Sequence, residues 1–298
     1  MQKIPVGQTI AFAYRFLFAE IGIIVGIAWI PAILSSFESY LVRIYASMNR
    51  AELEAGDRAA AGAYFLVSLG SLLVTIFASS MVAVAITRQI LGPRKSGVIA
   101  YFAIGKTEWR MFNANMRYLL GIATLIVLAA AITTLAFLLS GIPLDAPEQI
   151  RPTLASLLAG LISWAVFIYA FVAIVRMGFL LPATIVGEAK GGLRRSHELT
   201  RGNVWRVLLI ALALGLPILL LVLGGEAVVL RSALGPGFMR LNPTEFIQRA
   251  GRAMDDKALP WGIFSMVVFI LGSGLIYSGA AFAYRAIIGG PEPPRPPA

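Results

Sequence analysis

Residues 204–229 read VWRVLLIALALGLPILLLVLGGEAVV. No position between Arg206 and Glu226 carries a charge. A helix needs about 20 predominantly apolar residues to cross the hydrocarbon core of a bilayer, and this run supplies them. The apolar residues form a solid block, where a soluble helix would show a stripe and a polar face. Lipid offers no partner for an open backbone amide, so a block of this length predicts a helix that satisfies its own hydrogen bonds. A membrane β-barrel would show alternating segments of about ten residues, and this sequence has none.

Five more blocks flank this one, at residues 21–37, 59–87, 118–139, 153–175 and 261–284. Pro31 and Pro217 fall inside the first and fifth spans and predict kinks. Of the 298 residues 58% are hydrophobic and 13% are charged, about half the charged share of a soluble domain. The expected fold is all-α: an integral membrane bundle of six transmembrane helices over residues 1–290. Residues 291–298 (PEPPRPPA) form an expected disordered cytoplasmic tail. Arg15 and Glu20 interrupt the first apolar run, so it reads as a retained span and not as a cleaved leader. Residues 4–18, 37–58 and 243–257 place apolar side chains at helical spacing among charges, and read as interfacial amphipathic helices lying on the membrane surface or packed on the chain's own spans.

Basic residues collect on the cytoplasmic side of spanning helices. With the N-terminus inside, sixteen of the 25 Lys and Arg face the cytoplasm, while ten of the fifteen acidic residues face the other way. The net charge of +10 therefore resides on one face. This places both termini in the cytoplasm and the chain in a bacterial inner (plasma) membrane as a multi-pass protein. Anionic membrane lipids are the expected partners of the basic face, with a membrane protein as a second candidate. Nucleic acid is the less economical partner for this charge and is not expected.

Three aromatic-arginine pairs recur: Tyr14-Arg15, Trp109-Arg110 and Trp205-Arg206. Each precedes or opens an odd-numbered span, and residues 92–97 align with 187–192 within one position of the offset between the second and third pairs. The recurrence suggests three repeated helical hairpins, each opened by an interfacial anchor.

Residues 181–212 read LPATIVGEAKGGLRRSHELTRGNVWRVLLIAL. Leu193 and Leu199 suit an apolar surface, while Arg194, Arg195 and Arg201 can reach phosphates. Gly202 suits the positive φ that ends a helix. In Glu188, the Gly191-Gly192 pair, Thr200, Gly202 and Trp205-Arg206, this stretch resembles the membrane domain attached to some bacterial glycerophosphodiester phosphodiesterases. It also resembles related stand-alone six-span membrane proteins. The resemblance implies an interfacial helix-turn-helix on the inner leaflet and a membrane part without its hydrolase, since that barrel needs about 250 residues.

No catalytic pattern is legible. The chain has no cysteine and one histidine, His197, too few for a zincin. No cofactor, metal or catalytic residue is expected. The candidate lipid-headgroup contacts are Arg94, Lys95, Trp109, Arg110, Lys190, Arg194, Arg195, Arg201, Trp205 and Arg206. The expected function is that of a non-enzymatic scaffold, regulator or lipid-contacting protein. The alternative is a transporter or channel for a lipid or small amphiphile. The mid-span regions read as nearly free of charge, which counts against that alternative.

Overall fold

The computed structural model of the chain describes residues 2–92, 103–139, 154–234, 249, 251 and 257–289. Ten helices follow one another among them: α1 (Val6–Ala19), α2 (Ile21–Met48), α3 (Arg50–Glu54), α4 (Arg58–Leu91), α5 (Lys106–Leu139), α6 (Leu154–Gly178), α7 (Leu181–Gly187), α8 (Leu193–Thr200), α9 (Val204–Leu234) and α10 (Ala258–Ile288). Six of them, α2, α4, α5, α6, α9 and α10, are long and apolar enough to cross a membrane. The protein is an all-α, multi-pass membrane bundle, with no strand among the described residues.

The spans outrun the apolar blocks. α5 begins at Lys106, several turns before Tyr118. α2 continues through Pro31 and on to Met48. Charged residues end an apolar block but do not end a helix, which stops where a cap or a turn stops it. α4 opens on Asp57, whose carboxylate accepts the Ala59 N–H at 2.7 Å. α10 closes on Gly289 in the left-handed region, at φ +70°.

α10 is the central helix, packed by α1, α2, α4, α7 and α9. α2 also packs on α4, α4 on α5, α5 on α6, and α6 on α9, so the long helices form a belt around it. Hydrocarbon is as apolar as leucine, so helices in lipid associate through small residues and interhelical hydrogen bonds. Both devices are present. Ala78, Ala83 and Ala85 of α4 and Ala280, Ala281 and Ala283 of α10 are buried. Asn115 donates to Ser80 Oγ at 2.8 Å and Tyr118 to the Ile174 carbonyl at 2.9 Å.

Burial concentrates at one end of the bundle, where α1, α7 and α8 sit. In α4 it runs from Ala78 to Ile90, and in α9 it covers Val207, Ile210 and Leu214. Towards the far end the same helices expose Phe65 and Leu66, and Leu219 and Leu220. α5 and α6 expose Ile126, Val127, Leu161 and Phe167. An exposed apolar belt of this extent is the surface a bilayer covers.

The three amphipathic expectations fare differently. From Val6 onward, residues 4–18 form a helix, α1, and of its two possible supports it takes the chain's own spans. Phe12, Phe16 and Leu17 are buried, and the Phe12 ring stacks on Phe282 at 4.7 Å. Residues 37–48 are not a separate surface helix but the last turns of α2, and only α3 is short and independent there. Residues 243–257 lie almost wholly outside the described residues, as does the tail 291–298. The reading of the mid-spans as uncharged needs a correction at Glu38. Its carboxylate is buried against α4, where Thr75 donates to Oε1 and Oε2 meets no partner among the described residues.

Candidate functional site

At the densely packed end, α5 and the α7–α8 connection enclose a half-open cleft of about 540 Å³. Arg110, Asn113, Ala114 and Arg117 form its wall on α5, because residues three, four and seven apart share one face of a helix. Lys190 through Arg195 form the opposite wall. Five of the ten lining residues are cations: Arg110, Arg117, Lys190, Arg194 and Arg195.

The geometry behind this wall is specific. Gly191 is pressed against α7, and a Cβ there would fall inside the van der Waals envelope of the Thr184 carbonyl. Arg110 reaches across and donates to the carbonyls of Glu188 (3.1 Å) and Gly191 (3.4 Å), tying α5 to the loop. Arg195 Nε donates to both carboxylate oxygens of Glu188, at 3.0 and 2.9 Å, and the Tyr284 hydroxyl donates to its Oε1 at 3.1 Å. Glu198 pairs with Arg194 at 2.9 Å and stands 3.8 Å from Arg195. Two carboxylates therefore balance two arginines, and Arg110 is held by neutral carbonyls. Arg117 and Lys190 have no ion pair among the described residues. α8 adds a further positive element. No side chain caps its first turn, and Gly192, Leu193 and Arg194 of that turn line the cleft, so its leading N–H groups and dipole favour an anion there.

The cleft thus brings together four of the candidate contacts, Arg110, Lys190, Arg194 and Arg195. The rest do not converge on it. Trp109 lies off the cleft and packs its ring against Phe77 and Phe112, at 5.7 and 5.5 Å. Arg201 caps the C-terminus of α8 and is exposed. Trp205 is exposed on the opening turn of α9. Arg206 donates to the Ile4 carbonyl at 2.7 Å, beside Asn203, which binds the Ile4 N–H at 3.1 Å and the Gln2 carbonyl at 3.2 Å. Arg94 and Lys95 lie outside the described residues. Asn113 and Arg117 were not among the expected contacts, although their spacing from Arg110 gives them the same helix face.

The aromatic-arginine pairs show a partial equivalence. The second and third open α5 and α9, and in each the arginine donates to backbone carbonyls of a segment that precedes another hairpin. Tyr14-Arg15 departs from this, standing in mid-α1, where Tyr14 donates to the Ala213 carbonyl at 3.2 Å.

His197 sits on α8, outside the spans. The side chain is exposed, and partial loss of hydration, with Arg176 and Arg201 nearby, holds its pKa below the usual 6.5 against the opposing pull of Glu198. No group of three or more metal-ligating side chains occurs among the described residues. No family model, no curated protein and no solved structure matches this chain.

Proposed function

We propose that this chain is a non-enzymatic multi-pass protein of a bacterial inner membrane, with both termini cytoplasmic. Its basic cleft holds the anionic headgroup of a lipid, and the bundle serves as scaffold or regulator for a membrane-protein partner. One observation carries the reading: five cations and an uncapped helix start surround one cleft, and only two carboxylates neutralise them. A phosphate in the cleft relieves that imbalance through charge-assisted hydrogen bonds. The resemblance of residues 181–212 to the phosphodiesterase membrane domain supports the same reading.

The test is native mass spectrometry of the protein released from nanodiscs of equal phosphatidylglycerol and phosphatidylcholine. Retained phosphatidylglycerol should exceed phosphatidylcholine. The preference should fall about fivefold for each cation removed in Arg117→Gln and Lys190→Gln, the worth of one basic residue at an anionic surface. An unchanged preference in the double variant overturns the reading.

The buried Glu38 favours a second reading, a transporter for a lipid or amphiphile, because ionisable groups inside a bundle mark pathways. Proteoliposomes carrying a fluorescent phosphatidylglycerol would then show flip-flop that Glu38→Gln abolishes. Flip-flop no faster than in empty liposomes removes this reading.

A further inference from the structure

At the far end of the bundle from the basic cleft, α2 and α10 enclose a second pair of spaces. Ser35, Ser39 and Arg43 follow one another at four-residue intervals along α2 and share a face. With Trp261, Ser265 and Phe269 of α10 they line a cavity of about 220 Å³ whose wall is part polar and part apolar. Beside it runs an apolar groove of about 360 Å³, walled by Ile33, Phe37, Leu259, Ile263 and Met266. The two spaces meet between the helices, where Ser36, Tyr40, Ala258 and Gly262 belong to both walls. That junction is open: a Cβ added at Gly262 would meet nothing within 4 Å.

The chemistry of the two spaces differs as the two ends of an amphiphile do. Ile33, Phe37, Leu259 and Ile263 are exposed and belong to the apolar belt, so the groove faces acyl chains. The cavity offers hydroxyls and one charge, Arg43, which has no ion pair among the described residues. A guanidinium bordering an apolar belt gains most from an anionic oxygen partner. Trp261 suits the headgroup depth. Behind Ser35, whose hydroxyl lies 3.4 Å from that of Thr75, stands the buried carboxylate of Glu38. An anionic group is therefore favoured at the Arg43 end of the cavity and disfavoured at the Ser35 end.

We infer that this is a binding site for a phospholipid with an anionic headgroup, taken sideways from the leaflet at the far end. The head occupies the cavity at Arg43, and one acyl chain passes the Gly262 junction into the groove. The site is separate from the basic cleft and does not depend on it.

The test uses the full chain with Trp29, Trp109, Trp164 and Trp205 replaced by Phe, so that Trp261 reports alone. Nanodiscs of phosphatidylcholine receive increasing amounts of phosphatidylglycerol brominated on its acyl chains. Brominated phosphatidylglycerol should quench Trp261 at about one fifth of the mole fraction that brominated phosphatidylcholine requires, the discrimination expected of one cation at a headgroup. Arg43→Gln should abolish that difference, Arg43→Lys should keep most of it, and Arg117→Gln with Lys190→Gln should leave it intact. Equal quenching by the two lipids in the Arg43 protein overturns the inference, as does a preference that survives Arg43→Gln. Native mass spectrometry of the chain with all its tryptophans supplies a second readout: retained phosphatidylglycerol falls by one molecule in Arg43→Gln. No fall overturns the site.

Discussion

Gly191 has no room for a side chain. Its Cα faces the Thr184 backbone, and Gly191→Ala would push the α7–α8 loop away from α7. The expected cost is about 1–3 kcal/mol, the range for overpacking a closed site. Lipid retention in the cleft should fall with it, because Arg110 and Arg195 are aligned through that loop. Denaturant titration in detergent together with lipid retention checks both. His197 makes a residue-scale prediction about pH. Its pKa is depressed in the folded chain, first by partial loss of hydration and then by Arg176 and Arg201, so the unfolded chain binds its proton more readily. Its contribution to stability is whole above the ordinary histidine range and is lost as pH falls through that range. NMR of the imidazole should show a midpoint below 6.5, moving upwards in Arg201→Gln. A midpoint at or above the ordinary value contradicts the environment described for α8. Single residues were unevenly legible. Gly202 reads as a helix stop and has φ +84°. Arg206 reads like Arg194, both basic and interfacial, yet it is engaged with the Ile4 carbonyl. Arg194 is paired with Glu198 on its own helix, whereas the carbonyl that engages Arg206 lies 202 positions away in the chain, so local sequence does not tell the two apart.

The helices were legible at their centres and not at their ends. Residues 37–48 read as a separate surface helix because Ser35, Ser36, Glu38 and Ser39 interrupt the apolar block. No glycine or proline lies between Phe37 and Met48, so nothing breaks the backbone there and α2 runs on. The position of Glu38 was misread for the same reason. α5 was likewise read too short, at its start, and its early start is what puts Arg110, Asn113 and Arg117 on one cleft wall. The site was half legible in consequence: the Lys190–Arg195 wall lies in one local motif, while the α5 wall joins it only through packing. α1 shows how amphipathic spacing leaves the partner open, since a bilayer surface and a bundle surface ask for the same pattern. Its buried face gives the element-scale prediction. Phe12→Ala removes the stack on Phe282 and opens a gap beside the central helix. It should cost about 3 kcal/mol and lower the unfolding midpoint in detergent. A change near zero would mean that α1 packs elsewhere.

At the scale of the molecule, the charge asymmetry and the packing asymmetry coincide. α1, α7 and α8 thicken the end that carries the basic cleft, while the far ends of α4, α5, α6 and α9 present bare apolar surface. Six apolar blocks made the fold class plain, since length and composition alone settle a spanning helix. The order of the belt around α10 was not legible, because small residues and single hydrogen bonds choose neighbours in lipid and leave little periodic signal. The proposed orientation rests on the distribution of basic residues, and it is open to a direct measurement. The chain has no cysteine, so single-cysteine variants report without background. Glu52→Cys on α3 and Arg194→Cys on α8 place exposed thiols at opposite ends of the bundle. Spheroplasts are treated with a membrane-impermeant maleimide before and after permeabilisation. The expected result is that Glu52→Cys labels in intact spheroplasts and Arg194→Cys labels only once they are opened. Labelling of Arg194→Cys in intact spheroplasts would put the basic cleft on the outer face and contradict a six-span bundle that holds its anionic ligand at the cytoplasmic leaflet.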